Sequence, residues 1–194
     1  MNEINKQRLG LIPVLAEHAA AGHIGRTALM KYMYFLQVIR GVPLGYNFSM
    51  YSYGPFDSDV LADLSSGEML NIVAVTPVEF VGGYGYRIRP GDRAEFAKRE
   101  AAQLLTDHSD DVNWLFSVFG NLNSAELELT STIVYVDREF AERKGRGSIS
   151  DIAARVNEIK PHFAREKVRG FVEDLLRQDV LTSIPSVRGL RRAI

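Results

Sequence analysis

The chain has 194 residues, of which 46% are hydrophobic and 24% charged, and its formal net charge is −1. That length supports one large domain or two small ones with hydrophobic cores, and the balanced composition argues against disorder. The absence of cysteine excludes disulfides, thiolate metal sites and cysteine nucleophiles together. No apolar run approaches the roughly 18 to 20 residues of a membrane span, and the N-terminus shows no apolar stretch behind a basic one, so the expected location is the cytoplasm. Charge is evenly divided: seven of the 23 basic and seven of the 24 acidic side chains fall within residues 1–90, leaving 16 and 17 for the remainder. Neither half is a basic domain of the kind that binds nucleic acid mainly by neutralising phosphates.

Residues 3–21 predict a first helix with Leu9, Ile12 and Ala16 on one face and Pro13 as a kink or early helical residue. After the turn at Gly22–Gly25 comes the stretch that organises the chain. Ten of the twelve residues from Ala28 to Ile39 are apolar or aromatic. Ala28, Leu29, Tyr32, Phe35, Leu36 and Ile39 fall on one arc, with Met30, Tyr34 and Val38 beside Lys31 on the other side. Such a helix needs packing partners on both sides, and Gly41 with Pro43 ends it. Tyr46 to Tyr53 reads as one short strand, stopped by Gly54-Pro55. Asp57 caps a third helix carrying Val60, Leu61 and Leu64 and closing at Gly67, in which Asp57, Asp59 and Asp63 read as a cap with first-turn acids. Two β-prone runs, 71–81 and 84–89, flank Gly82-Gly83, a hairpin turn signal.

Pro90-Gly91 marks an expected boundary. Beyond it, Asp92 and Glu95 form a capping pair for a helix through Leu105, broken at Asp107–Asp111. A short apolar helix with Val112, Leu115, Phe116 and Phe119 follows, then a long one from the Asn123 and Glu126 pair to about Arg143. Ser148 to Asp151 opens a helix bearing Ile152, Val156 and Ile159, and Phe163 to Asp179 makes the last, burying Val168, Val172, Leu175 and Leu176. The expected fold class is therefore mainly α with a small β-hairpin (α+β). The N-terminal half is winged-helix-like and the C-terminal half helical and helix-turn-helix-like. The expected domains are 1–91, 92–181 and a basic tail, 182–194.

Gly25-Arg26, Leu29, Lys31 and Tyr34, followed by Tyr53-Gly54-Pro55-Phe56-Asp57, resemble the opening domain of the YwgA-like proteins. In those a Gly-Arg-Lys-Lys-Leu-Gln-Lys type helix precedes a Tyr-Gly-Pro-Tyr-Ser turn. The Lys31 to Tyr34 spacing and the Tyr-Gly-Pro turn are also similar to the Panacea antitoxin domain. The likeness covers roughly the first 90 residues, with weaker echoes at Ser124–Glu128 and Lys160-Pro161; Ala28 and Met30 depart from the pattern, which has Lys and Gln there. The resemblance implies a winged-helix-like fold and non-enzymatic regulation, including binding and neutralising a toxin.

Three functional classes follow. Catalysis has little support, since His18 and His23 do not share a helix face, no His-Glu-x-x-His or Gly-x-Ser-x-Gly occurs, and neither a metal nor a cofactor is expected. A protein-binding regulatory module is the preferred reading, with Lys31, Tyr51, Tyr53, Tyr84 and Tyr86 as candidate contacts; Lys31 otherwise reaches a carboxylate within the fold, and the tyrosines otherwise finish a small β-layer. The alternative is a DNA-binding winged-helix regulator. It would use Arg87 and Arg89 on the wing, Arg165, Lys167 and Arg169 at the start of the last helix, and Arg188, Arg191 and Arg192 in the tail. The three aspartates of the third helix oppose it, because phosphates repel them. The oligomeric state is left open.

Overall fold

A computed structural model of the chain describes residues 2–80, 83–143 and 147–185. Within them the fold is mainly α with two small β-hairpins: α1 Glu3–His18, α2 Arg26–Arg40, β1 Ser49–Tyr51, β2 Gly54–Phe56, α3 Ser58–Met69, β3 Val73–Phe80, β4 Gly83–Pro90, α4 Ala94–Glu100, α5 Ala102–Asp107, α6 Ser109–Phe119, α7 Ser124–Glu142, α8 Ile149–Ile159 and α9 Arg165–Arg177. No described helix is long and apolar enough to cross a membrane.

The chain divides into two units, one made of Met1–Ser49 and Phe56–Leu127, the other of Met50–Pro55 and Glu128–Ile194. The division does not fall at Pro90-Gly91, and the reason is local. The Gly91 amide donates to Ile72 O at 2.9 Å and the Arg93 amide to Asn71 O at 2.8 Å, which fastens the chain beyond β4 to the start of β3. A Cβ on Gly91 would lie 2.5 Å from Asn71 O, so only glycine permits that approach.

In the first unit α2 is the core. Leu29, Met30, Tyr32, Met33, Tyr34, Phe35 and Leu36 are all 5% exposed or less, as an apolar helix without a solvent face requires. Phe35 meets Phe119 with ring centroids 4.3 Å apart, Tyr32 meets Phe116 at 5.2 Å, and Tyr34 meets Phe48 at 5.1 Å. Gly41 ends the helix in the left-handed region, φ 73°, with its amide returning to Leu36 O. Helix α1 runs unbroken through Pro13. At Gly10 it lies so near α4 that an added Cβ would stand 2.4 Å from Ala101 Cβ and 2.6 Å from Ala97 O. Intrinsic helix propensity favours alanine over glycine by roughly 1 kcal/mol. Gly10→Ala is nevertheless expected to lower the thermal midpoint, because about 1 to 3 kcal/mol of overpacking outweighs that gain; a raised midpoint in a calorimetric scan would show that the helices part freely.

The segment expected as one strand from Tyr46 is different. Val42, Leu44 and Tyr46 are buried in an irregular stretch without a ladder, the Leu44 amide turning back to Val42 O at 2.8 Å and Gly45 standing at φ 67°. Gln37 holds it by both amide groups, Nε2 donating to Tyr46 O and Oε1 accepting from Tyr46 N, each at 2.9 Å. The strands that do form, β1 and β2, are three residues each and turn back on one another before Gly54, whose φ is 85°. The helix expected from 92 to 105 is two, α4 and α5, jointed at Ala101 (φ −102°, ψ 12°), and Asp92 does not cap it: the N-cap position is Arg93.

In the second unit α7 contributes Leu129, Ile133, Val134 and Val136 to the core, α8 contributes Ile152 and Val156, and α9 contributes Val168, Val172 and Leu175. The expected capping pair at Asn123 with Glu126 forms, and Ser148 to Asp151, expected to open a helix, does so through a pair of the same kind, each side chain reaching the other residue's amide at 3.0 to 3.1 Å. Lys160, 2% exposed, donates Nζ to Ser52 O and to Glu128 Oε1, which ties the β1–β2 turn to α7.

Candidate functional site

The β3–β4 hairpin carries the strongest candidate surface. Its register pairs Val75 with Ile88, Thr76 with Arg87, Pro77 with Tyr86 and Glu79 with Tyr84. Directly opposed residues share a face and successive residues alternate. One face therefore carries Val75, Pro77 and Glu79 with Ile88, Tyr86 and Tyr84, and the other carries Ala74 and Thr76 with Arg89 and Arg87. Ile88 is fully buried, which fixes the tyrosine face as the one that turns toward the helices. Beyond the buried end, that face runs out into solvent: Tyr86 is 38% exposed and Tyr84 78%. The ladder pairs Phe80 with Gly83, so Gly83 belongs to β4 rather than to the turn; Gly82 lies outside the described residues.

Ile24 adds a contact that the sequence did not announce. It bridges antiparallel to Ile88, with Ile24 N donating to Ile88 O at 3.1 Å and Ile88 N to Ile24 O at 2.8 Å. The residue between α1 and α2 thereby flanks β4 and brings the start of α2 against it. Arg26, the first residue of α2, lies with its guanidinium 3.4 Å from the Tyr86 ring centroid, and its buried Nε has no hydrogen-bond partner among the described residues. The ring face is what meets that cation. A single β-prone residue between two helices gives no sequence signal, which is why both Ile24 and Arg26 were missed.

Helix α3, packed beside this hairpin, exposes Ser58, Asp59, Ala62, Ser65, Glu68 and Met69, and it contains no lysine or arginine. Its aspartates have separate roles. Asp57 accepts from Asp59 N at 2.8 Å as the cap and also from Asn47 N at 2.5 Å. Asp63 is not a surface acid of the first turn. It is 8% exposed and accepts the Tyr46 hydroxyl at 2.9 Å, with Arg8 Nη1 at 3.5 Å. Arg8, 6% exposed, also donates Nε to Leu44 O at 2.6 Å and Nη2 to Gly45 O at 2.7 Å, and its guanidinium lies 4.0 Å from the Tyr46 ring. Burial pushes the Asp63 carboxyl above its ordinary range, against the Tyr46 hydrogen bond and the Arg8 charge that favour ionisation. Burial, then the Asp63 charge, pushes the Tyr46 hydroxyl up as well.

The remaining predicted residues scatter. Lys31 is 2% exposed, buried with the core residues of α2, and so is no surface contact. Tyr51 and Tyr53, 66% and 74% exposed, belong to the second unit with the β1–β2 turn and not to the hairpin that carries Tyr84 and Tyr86. Arg87 and Arg89 are exposed, with no ion pair among the described residues, on the hairpin face opposite the tyrosines. On α9, Arg165 and Lys167 are exposed, Lys167 Nζ lies 5.8 Å from the Phe171 ring centroid, and Arg169 Nε pairs with Glu173 at 3.0 Å. Arg188, Arg191 and Arg192 lie outside the described residues.

The histidines have local roles. Nδ1 of His18 donates to Val14 O and that of His23 to Ala21 O, each at 2.9 Å, and His162 Nε2 is 3.8 Å from Glu128. His108 Nδ1 is 2.7 Å from Asp111, which also accepts from Arg40 Nε at 2.6 Å. Burial pushes the Asp111 carboxyl up, but the hydrogen bonds from His108 and Arg40 outweigh it and hold the group below the usual range. Among the described residues no group of three or more histidines, aspartates and glutamates is arranged to hold a metal ion. No protein-family model matches this sequence, and no curated protein is significantly similar to it.

Proposed function

We propose that the chain is a non-enzymatic, cytoplasmic regulatory module of winged-helix type that binds a protein partner, antitoxin-like in role, through the tyrosine face of β3–β4. The order α1, Ile24, α2, then, after the short β1–β2 hairpin, α3, β3 and β4, with Ile24 bridged to β4, supports the winged-helix reading as an analogy of topology, not as a statement of function. The observation that carries the partner reading is Tyr84, 78% exposed, continuing a face that Tyr86 and Arg26 have already stiffened. Rigid aromatics beside an arginine are what protein interfaces use as anchors. An α3 without a single basic residue supplies no attraction to phosphate, and this weighs against a DNA reader. The resemblance to antitoxin domains makes a toxin the partner class to look for.

The test is quantitative co-purification from the native host with a tagged chain at its native level, comparing wild type with the Tyr84→Ala/Tyr86→Ala double variant. We expect a stoichiometric protein partner whose recovery falls at least about 30-fold, as loss of a hot-spot pair of roughly 2 kcal/mol or more requires, at an unchanged thermal midpoint. Undiminished recovery removes the site. The second reading rests on Arg87 and Arg89 of the opposite face, exposed and without an ion pair among the described residues. If no partner is recovered and a labelled random duplex binds with an anisotropy that falls steeply with salt, DNA is the ligand and Arg87→Gln/Arg89→Gln should flatten the salt slope.

A further inference from the structure

The first unit contains a recess of about 190 Å³ between α1, the end of α3, the start of β3 and α4, lined by Lys6, Leu9, Leu70, Ile72, Arg93, Phe96, Ala97 and Glu100. Its interior is apolar: Leu9, Ile72 and Ala97 are 5% exposed or less. Phe96 forms one wall and remains 46% exposed, an unusual state for a phenylalanine on a helix whose other face is packed. The charged groups stand only at the rim. Lys6 Nζ is paired with Glu100 at 2.9 Å. Arg93 is different. Its guanidinium lies 5.1 Å from the Phe96 ring centroid and has no carboxylate partner among the described residues, and its backbone is held by the bond to Asn71 O. The rim therefore carries two cations against one carboxylate, and the unanswered charge is Arg93.

We infer that this recess is a binding site for a small monocarboxylate, the compact apolar body filling the space between Leu9, Ile72, Ala97 and Phe96 and the carboxylate meeting Arg93. Size sets the body. A cavity of about 150 Å³ with apolar walls takes a benzene ring, so this one takes a single ring or a branched chain of about six to eight carbons. Charge sets the head group. The planar guanidinium fork accepts a carboxylate through two parallel hydrogen bonds, whereas a cationic ligand meets net repulsion and a neutral one leaves Arg93 as it was. Position gives the site a consequence for the fold. Leu70 and Ile72 flank Asn71, which joins α3 to β3 with φ 57°, and the Ile72 amide donates to Gly67 O at 2.8 Å. A ligand there braces the joint between α3 and the β3–β4 hairpin. The site does not depend on the tyrosine face, and either can fail alone.

The full chain, uniformly labelled with ¹⁵N, is titrated at constant ionic strength with benzoate and, separately, with benzyl alcohol, which has the same ring and no charge. Benzoate should produce saturable shifts at the amides of Ile72, Arg93, Phe96 and Ala97 and bind at least about tenfold more tightly than benzyl alcohol. Arg93→Gln should abolish that preference while the thermal midpoint, read by circular dichroism, stays put; Phe96→Ala should weaken both ligands. No saturation with benzoate, equal affinity for the two ligands in the wild-type chain, or an undiminished preference in Arg93→Gln overturns the proposal. The wild-type comparison stands without any variant having to fold.

Discussion

Arg8→Met destabilises the first unit by about 3 to 5 kcal/mol, the expected cost of removing one partner from a buried charged pair. Methionine fills much of the arginine stem's volume, so the loss is electrostatic rather than a cavity. Three groups lose their partner at once: the Leu44 and Gly45 carbonyls, at 2.6 and 2.7 Å from Arg8, and the Asp63 carboxylate at 3.5 Å. Denaturant unfolding measures the effect, and a change below about 1 kcal/mol would mean that water or Tyr46 takes over the role of Arg8. The pH dependence supplies an independent check. Asp63 already titrates above its unfolded range because burial disfavours its charge. A carboxyl raised in the folded state binds its proton first on folding, so stability increases as pH falls through the folded pKa. Without Arg8 that carboxyl rises further, and the deficit of the variant relative to wild type should shrink as pH falls from neutrality into the acid range. A deficit independent of pH places the cost in the two carbonyls and not in Asp63.

This cluster also marks where reading the sequence stops. The apolar burden of α2 made it the core by arithmetic alone, since ten apolar residues in twelve leave no solvent face, and the structure buries it on every side. Capping chemistry is equally local, and the pairs Asn123 with Glu126 and Ser148 with Asp151 were readable because each partner is three residues away. Arg8 and Asp63 are 55 positions apart, and an arginine in an amphipathic helix reads as a surface residue until Tyr46 is seen to cover it. Lys31 on an apolar helix left two readings open, a carboxylate within the fold or a contact for a partner, and its burial removes the second. The expected boundary at Pro90-Gly91 failed for a tertiary reason as well. Proline and glycine do end β4, but the amides of Gly91 and Arg93 bind back to the start of β3, which keeps α4 in the first unit. At the candidate surface, alternation puts Tyr84 and Tyr86 on the face of the buried Ile88, so their exposure, 78% and 38%, depends on tertiary packing and was not legible in the sequence. Their separation from Arg87 and Arg89 follows from alternation along β4 alone; only the β3 neighbours they meet, Pro77 and Glu79, depended on the register.

In the second unit, Asp137→Ala should have the largest effect of any single substitution. The side chain is fully buried and both oxygens are used. Oδ1 accepts from Ser183 N at 2.9 Å and Ser183 Oγ at 2.6 Å, while Oδ2 accepts from Thr182 N at 2.8 Å and Thr182 Oγ1 at 3.0 Å and meets Arg138 Nη1. Arg138 in turn reaches Thr182 Oγ1 at 2.7 Å and Val180 O at 3.2 Å. One carboxylate thus holds Thr182 and Ser183 against α7; before them the chain is held by the Val180 amide to Leu175 O and by Arg138 to Val180 O, and among the described residues it joins no ladder. Charge-assisted bonds of this kind are worth about 1.5 to 3 kcal/mol each, and losing the shared acceptor leaves the buried Ser183 groups unpaired. We expect a loss of about 3 to 5 kcal/mol in the second unit. Native-state hydrogen exchange separates the local from the global part of that loss. In wild type the amides of Thr182 and Ser183 should be protected along with the core of α7. In Asp137→Ala they should exchange far faster than those of Ile133 and Val134, because Val180 and Leu181 lose the latch that follows them. Asp137→Asn refines the assignment, since its single carbonyl oxygen can serve Thr182 or Ser183 but not both, and an intermediate protection confined to one of the two amides is the expected signature. Equal exchange in wild type and Asp137→Ala would mean that the packing of Val180 and Leu181 alone holds the segment, and that the carboxylate serves only to neutralise Arg138.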